Sequence, residues 1–256
     1  MGFVAKGAQN GEMGLDVPDS AATLPEMNWR PSVRKPGVSA VGHVYEDLRN
    51  LIINLKFAPG SPVAKNVLAE RFNVSPTPVR EALLRLAEED LVNIIPQSGT
   101  AVSLINIQSA QEVHFLRLSV EIEVARVLCK EIDDSGLAEL NAWMERQVTE
   151  LNAGNQTAFK HADNSFHLEM FQLAGVKGLT QLLDRRRGHY DRIRGLYLRE
   201  HQRREIVVEE HREIFAALQK RDTQAAEAAV RMHLGKSLAI VDQIRDLYPN
   251  YFLSSE

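Results

Sequence analysis

The sequence predicts a mainly α-helical protein with a small N-terminal domain and a larger C-terminal bundle of six to seven helices. Three observations carry this prediction. Apolar residues recur at helical spacing along most of the chain after residue 40, and one short stretch near residue 100 has the turn residues and strand-forming residues of a β-hairpin. The third is length, because 256 residues leave room for more than one core.

The composition is that of a water-soluble globular protein, with 44% hydrophobic and 25% charged residues. No apolar run approaches the length of a membrane span, roughly 18–20 residues, so we expect no membrane association. The single cysteine, Cys129, excludes an internal disulfide and fits a reducing compartment, which predicts a cytoplasmic protein. A net charge of −4 gives no overall basic character of the kind that favours nucleic-acid binding.

Residues 1–40 are predicted to form a disordered N-terminal arm. They lack apolar periodicity and are rich in glycine, proline and small polar residues. The segment WRPSVRKPG within this arm is locally basic, so it has the charge needed to contact a polyanion. A solvated tail without a partner is the competing interpretation.

Residues 41–104 have the element order of three helices followed by a hairpin. The segments VYEDLRNLIINL, KNVLAERFNV and SPTPVREALLRL place apolar residues on one helical face, and LVNII and TAVSL flank a turn. This order is typical of a winged helix-turn-helix, whose third helix enters the major groove of DNA. Pro76 and Pro78 lie in the first turn of that helix, where N–H groups have no intrahelical partner. We expect Ser75 to be its N-cap, with the hydroxyl accepting a hydrogen bond.

The stretch LAERFNVSPTPVREALLRLAEEDLVNIIPQSGTAV resembles the winged helix-turn-helix of GntR-type bacterial transcription factors. In that family the start of the recognition helix, the preceding helix and the wing contact DNA. The resemblance implies that Ser75, Thr77 and Arg80 contact DNA, with Gly99 at the tip of the wing. It places Lys65 and Asn66 at the contact position of the preceding helix.

Three positions depart from the family pattern. Pro76 stands where relatives carry an arginine, Asn66 takes the place of the usual basic residue, and Asp90 replaces a glycine. Residues 41–104 contain six Lys and Arg against seven Asp and Glu, a net charge of −1. Because phosphate neutralisation supplies most non-specific affinity, we expect weak non-specific DNA binding.

The C-terminal domain, residues 109–248, is predicted to be a helical bundle around one core. No convincing strand pattern occurs there, and short polar or glycine-containing breaks separate the helical stretches. The predicted helices are 109–131, 135–152, 156–174, 178–198, 203–219 and 222–247.

Four polar residues fall on the apolar faces of these helices. Asp163 and His167 are four residues apart and point to the same side, while His211 and His233 lie in the apolar stripes of two later helices. Singly, each histidine has the simpler explanation of a hydrogen-bonded core residue. Together with the aspartate they predict a divalent transition metal, with zinc or nickel first and cobalt, iron or manganese also suited to the ligands.

The segments LRLSVEIEVARVL, ADNSFHLEMFQLAG, EEHREIFAALQKRD and AVRMHL resemble the FCD ligand-binding domain of the FadR subfamily of GntR regulators. The resemblance implies that Asp163, His167, His211 and His233 hold a metal. It also places Arg117 at a position that is often near a carboxylate effector. A surface ion pair between Arg117 and Glu121 is the alternative for this arginine.

These observations predict a homodimeric, metal-containing transcriptional regulator that binds palindromic operator DNA. We expect a repressor, released when a small carboxylate-bearing effector binds. A metal-dependent enzyme using the three histidines and the aspartate is one alternative, and a regulator that senses the metal itself is another. The remaining histidines are predicted to be at the surface or incidental: His43, His114, His161, His189 and His201.

Overall fold

The computed structural model describes residues 29–95, 99–199 and 201–254. The expectation for residues 1–28 lies outside the described residues. The predicted fold class is confirmed, since the described chain is mostly helical and has a single two-stranded sheet. None of the described helices is both long and apolar enough to cross a membrane.

The N-terminal domain follows the predicted order of a winged helix-turn-helix. Its helices are α1 (Ala40–Ile53), α2 (Lys65–Phe72) and α3 (Pro76–Glu88), and its strands are β1 (Val92–Ile95) and β2 (Gly99–Val102). The strands pair antiparallel, with Val92 opposite Val102 and Ile95 opposite Gly99. Apolar residues at helical spacing form the core of this domain: Val44, Leu48, Ile52, Leu68, Val79, Leu83 and Leu86.

The turn between α2 and α3 forms for local reasons, with one departure from expectation. Asn73 ends α2 in the left-handed conformation (φ 51°), which asparagine tolerates. Ser75 has the extended backbone of an N-cap, and Pro76 opens α3. The expected capping hydrogen bond from the Ser75 side chain is absent in this turn. Pro78 occupies the third helical position, so the N–H that a capping hydroxyl usually accepts from does not exist.

Residues 29–39, predicted to belong to a disordered arm, pack against the N-terminal domain. The Trp29 ring lies 5.8 Å from the ring of Phe57 and 5.5 Å from that of Phe72, and the Arg71 guanidinium covers it at 5.6 Å. The backbone N–H and hydroxyl of Ser32 both donate to the Asp47 carboxylate at 2.7 Å. This docking depends on aromatic residues far along the chain, which local composition does not reveal.

The C-terminal domain contains the predicted helical bundle, but two of the predicted helices are each divided. Residues 178–198 form two helices joined by three arginines. Arg185 keeps helical backbone angles (φ −69°, ψ −22°), whereas Arg187 departs from them (φ −79°, ψ 1°). Residues 222–247 divide at Ile240. The helices are α4 (Ile107–Glu131), α5 (Asp134–Asn152), α6 (Gln156–Leu173), α7 (Gly178–Asp184), α8 (Gly188–Tyr197), α9 (His201–Gln219), α10 (Thr223–Ala239) and α11 (Val241–Leu247).

Helix α8 joins the two domains. Its first residue, Gly188, lies so close to Leu91 that a Cβ at position 188 would be 2.6 Å from Leu91 Cδ2. Arg192, which is fully buried, donates to the Ser103 carbonyl at 2.6 Å and to its hydroxyl at 3.1 Å. His189 Nδ1 accepts from the backbone N–H of Asn106 at 3.1 Å. The helical domain is therefore in direct polar and apolar contact with the winged domain.

Two of the histidines predicted to be at the surface or incidental are buried. His189 lies in the contact between the domains, and His43 packs edge-on against the Phe72 ring at 5.5 Å. The expectation failed because neither residue falls in a simple apolar stripe, and burial in both cases comes from a neighbouring element. His161 is exposed, as expected.

Candidate metal centre

Three histidine side chains from three helices converge in the core of the C-terminal domain. His167 of α6, His211 of α9 and His233 of α10 are all buried. The Nε2 atoms of His167 and His233 are 3.1 Å apart, and those of His211 and His233 are 3.2 Å apart. These residues form the group of potential metal ligands found among the described residues.

The opposite nitrogen of each ring faces an oxygen. His167 Nδ1 lies 2.8 Å from Glu121 Oε2, His211 Nδ1 lies 2.7 Å from Gln147 Oε1, and His233 Nδ1 lies 2.9 Å from Glu210 Oε2. An oxygen that only accepts favours the tautomer with hydrogen on Nδ1, which leaves a lone pair on Nε2. For His211 and His233, whose Nδ1 atoms meet their oxygens with hydrogen-bond geometry, the Nε2 lone pairs then face each other.

The charge state of the histidines agrees with this arrangement. Burial, together with the neighbouring cationic groups, holds the pKa of His211 and His233 well below the usual histidine value, so both rings are neutral at neutral pH. Neutral rings with facing lone pairs repel each other unless a cation lies between them. The donor set therefore fits a divalent transition metal, for which neutral imidazole nitrogen is a preferred ligand.

Asp163 lies beside the three histidines, where the sequence predicts a fourth ligand. Its carboxylate is fully buried. Oδ1 accepts from Arg194 at 2.7 Å and from the Gln147 amide at 3.3 Å, and it lies 3.8 Å from His211 Nε2. Oδ2 accepts no hydrogen bond from any described residue. A buried oxygen without a partner is costly, so Oδ2 is suited to a metal or to a ligand bound there.

Three residues of this site were not named from the sequence: Gln147, Arg194 and Glu210. Glu121 was named only as a possible partner of Arg117. The sequence signal that could have found them is the one that identified the histidines, a polar residue within the apolar stripe of a helix. Gln147 lies in the buried stripe of α5 with Leu140, Met144 and Leu151, which marks a polar side chain that needs an internal partner. The identity of that partner is not readable from spacing along one helix.

A cavity of about 600 Å³ adjoins the metal centre on the side of His167 and Glu121. Arg117 lines it and is only 3% exposed. The pair with Glu121, named as the alternative for this arginine, exists, but it is buried and not at the surface. Burial alone would raise the pKa of Glu121, but the charge of Arg117 outweighs it and holds that pKa well below its usual range. Arg117 NH1 has no hydrogen-bond partner among the described residues, although it is buried.

The candidate DNA-contacting residues lie at the start of α2, at the start of α3 and in the wing. Gly99, predicted at the wing tip, opens β2 opposite Ile95 with φ 114°, a conformation that favours glycine. The turn itself, residues 96–98, lies outside the described part of the chain. All six of the residues predicted to contact DNA are exposed: Lys65, Asn66, Ser75, Thr77, Arg80 and Gly99.

Two protein families match the chain. Residues 40–102 match the family of bacterial regulatory proteins called gntR, and residues 112–236 match the FCD domain. The chain is 32% identical over 209 residues to the HTH-type transcriptional repressor RspR of Escherichia coli, covering 82% of this chain and 92% of RspR. It is 34% identical over 209 residues to an HTH-type transcriptional regulator in an unstable DNA locus of Streptomyces ambofaciens, with 82% and 88% covered.

Solved structures share the fold. E. coli McbR/YncC superimposes with a TM-score of 0.67 at 22% identity, covering 80% of this chain and 98% of McbR. A GntR regulator from Rhodococcus sp. RHA1 superimposes with a TM-score of 0.69 at 22% identity, covering 82% of this chain and all of that one. At this identity the likeness concerns the fold alone.

Proposed function

The chain belongs to the GntR family of bacterial transcriptional regulators and carries an FCD domain after its DNA-binding domain, and we propose that it is a metal-containing, effector-responsive repressor. In this proposal a cytoplasmic homodimer binds palindromic operator DNA and is released by a small organic acid. Both the family and the relatives are DNA-binding transcriptional regulators, so the chain is not an enzyme.

The observation that carries the effector proposal is the convergence of three buried Nε2 atoms next to a cavity lined by Arg117. His167, His211 and His233, with Asp163 beside them, would hold the metal. A bound divalent ion supplies positive charge and open positions for a ligand oxygen. With one carboxylate in the ligand set, the local charge is about +1, which favours an anion. Arg117 NH1 offers that anion a further donor.

DNA binding in this proposal relies on the exposed residues at the starts of α2 and α3 and in the wing. Arg80 and Lys65 supply charge, and Ser75 and Thr77 supply hydroxyl donors. Pro76 removes the side chain that relatives place at the groove, so we expect binding to depend strongly on the operator sequence and little on non-specific attraction.

Dimerisation is supported by an apolar surface on neighbouring helices of the FCD domain. Phe115 of α4 is 72% exposed, and Leu116 of α4 and Met232 of α10 are also exposed. A large exposed aromatic residue beside further apolar residues is typical of an interface. Two copies joined through this surface would present two winged domains to the two halves of a palindrome.

The test is selection of sheared genomic DNA on the purified protein at near-physiological salt, followed by measurement of operator binding with and without metal. We expect a palindrome to be recovered and the protein to retain its metal throughout. If metal alone controlled operator binding over a physiological range, the protein would be a metal sensor. If chelation changed neither effector nor DNA binding, the metal would be structural and the sensing role wrong.

A further inference from the structure

We propose that the effector cavity contains a second anion-binding subsite, formed by Lys160 of α6 where it meets Asn54 at the end of α1. The ligand class is then an organic acid with an anionic group at each end, such as a dicarboxylate. This inference rests on the proposed function, because it extends the same cavity from the metal centre to the DNA-binding domain.

Lys160 is the cation of the cavity that lacks a carboxylate partner among the described residues. Arg49 pairs with Glu89 at 2.7 Å, Arg117 with Glu121 at 2.8 Å, and Arg187 with Asp184 and Asp191. The three acidic residues that line the cavity, Glu121, Asp184 and Asp191, are thus already paired with arginines. Arg187 is shared by two aspartates, so one of their charges attracts Lys160, but only from beyond ion-pair distance. Lys160 thus has no direct ion pair in the described chain, and a carboxylate that enters the cavity can supply one.

The environment of Lys160 is poorly matched to an ammonium group. Its Nζ donates to Asn54 Oδ1 at 3.2 Å, a neutral acceptor, and lies beside Gly195 of α8. Burial lowers the pKa of Lys160 and outweighs the attraction of Asp191, because that carboxylate makes no direct contact with the ammonium group. An ammonium group has three donors, so a carboxylate entering the cavity would find both charge and unused hydrogen-bonding capacity.

The other end of the cavity offers a separate anchor. Arg117 NH1 is buried and has no hydrogen-bond partner in the described chain, and His167 of the metal centre lines the same cavity. One carboxylate therefore has a place at Arg117 and the metal centre, and a second has a place at Lys160. A monocarboxylate would bind at Arg117 and the metal centre and would leave the contact between Lys160 and Asn54 unchanged.

The second subsite belongs to both domains. Asn54 caps the end of α1, its side-chain amide donates to the Asn50 carbonyl at 2.9 Å, and both asparagines line the cavity. A carboxylate that draws Lys160 away from Asn54 breaks a direct bond between α6 and the winged domain. The length of the acid, and not only its charge, would then decide whether the ligand reaches the DNA-binding domain.

The experiment compares dicarboxylates from malonate to pimelate with monocarboxylates of matching length, by isothermal titration calorimetry on the full-length protein as purified with its metal. We expect the best dicarboxylate to bind about tenfold or more tightly than its monocarboxylate partner, in line with one charge-assisted hydrogen bond. Lys160→Met should abolish this preference and leave monocarboxylate affinity within about twofold. The control is Lys220→Met, at an exposed lysine outside the cavity.

A second variant keeps the test decisive if Lys160→Met folds poorly. Asn54→Asp places a carboxylate against Lys160 from within the protein, so it should remove the dicarboxylate preference while Lys160 remains. Equal binding of both acid types at every length by the parent protein would overturn the second subsite and leave the effector role of the cavity standing. The second subsite would also be wrong if both variants still bound dicarboxylates more tightly than monocarboxylates. If no acid of either type bound, the organic-acid effector itself would be wrong.

Discussion

Arg192 and His189 form a buried polar pair at the contact between the two domains. The Arg192 guanidinium meets neutral acceptors, and burial lowers its pKa to about 9. His189 Nδ1 lies 2.7 Å from Arg192 NH2 and also accepts from the Asn106 N–H. Burial, followed by the charge of Arg192, lowers the pKa of His189 to about 3. The ring is therefore a neutral acceptor at physiological pH. A proton on Nδ1 would break its hydrogen bonds with the Asn106 N–H and with Arg192.

This pair predicts that acid weakens the protein through His189. The pKa of this residue is about 3 in the folded state and about 6.5 when unfolded. The unfolded chain therefore binds more protons between these values, and stability is complete above pH 6.5 and falls as the pH drops toward 3. We expect the parent protein to lose about 1.4 kcal/mol more than His189→Asn when the pH falls from about 7.5 to about 5.5.

Asparagine is the chosen substitution because its side-chain oxygen retains an acceptor but does not titrate. Urea unfolding at the two pH values measures the difference. The other histidines with lowered pKa values, His114, His211 and His233, act equally in both proteins and cancel. An identical loss of stability in the two proteins would contradict the assignment.

Glu210 contacts His233 of the candidate metal centre from the side opposite the other histidines, so we expect it to orient this imidazole. Its Oε2 lies 2.9 Å from His233 Nδ1, and its other oxygen pairs with Lys236. Glu210→Gln should lower metal affinity about 10- to 100-fold, because it weakens the acceptor that orients the imidazole. Competition with a metal chelator measures this affinity. Glu213→Gln, at an exposed position of the same helix, should have no effect, and equal affinities for the two variants would show that Glu210 has no such role.

At the scale of elements, the basic segment of the arm is attached to the winged domain. Trp29 and Ser32 anchor it, and the exposed Arg30, Arg34 and Lys35 lie between or just beyond these anchors. They raise the net charge of residues 29–104 to +2, from −1 for residues 41–104. The segment therefore restores part of the positive charge that the recognition helix lacks.

We expect these three residues to bind DNA phosphates. Replacing Arg30, Arg34 and Lys35 by alanine should make the slope of log affinity against log salt concentration less negative by about 0.9 for each phosphate that is no longer neutralised. Fluorescence anisotropy of the selected operator over a salt series measures the slope. The matched control replaces three exposed lysines of the other domain, Lys130, Lys177 and Lys220. An unchanged slope in the arm variant would mean that the segment is solvated when DNA is bound.

The elements differ in how far the sequence alone could predict them. Helices with one continuous apolar stripe, such as α1 and α6, were predictable because periodicity reports a buried face directly. The same periodicity identified His167, His211 and His233. The division between α7 and α8 was not predictable, because the three linking residues are arginines, which form helices readily. The partners Gln147 and Glu210 also escaped, since hydrogen bonds between helices depend on how those helices pack.

At the scale of the whole molecule, the contact of Gly188 with Leu91 fixes how closely the domains approach. Gly188→Ala should destabilise the protein by about 1–3 kcal/mol through overpacking, because its Cβ would meet the buried Leu91 side chain. Thermal or urea unfolding measures the change. Gly235→Ala is the matched control, because nothing lies within 4 Å of a Cβ there. It should stabilise α10 by about 0.5–1 kcal/mol.

A double-mutant cycle separates the contact between domains from a local effect on α8. In the background of Leu91→Ala the clash disappears, so Gly188→Ala should cost much less there than in the parent protein. The same cost in both backgrounds would place the strain within α8 and not between the domains.

The two tryptophans of the chain are divided between its two domains. Trp29 of the arm packs edge-on against Phe57 and at a tilt against Phe72, and Trp143 in α5 lies 6.2 Å from the ring of His161, which lines the cavity beside the candidate metal centre. The molecule thus contains one intrinsic fluorophore near the winged domain and one near the cavity of the helical domain. In Trp29→Phe the emission reports on the neighbourhood of the cavity, and in Trp143→Phe it reports on the docking of the arm, without any attached dye.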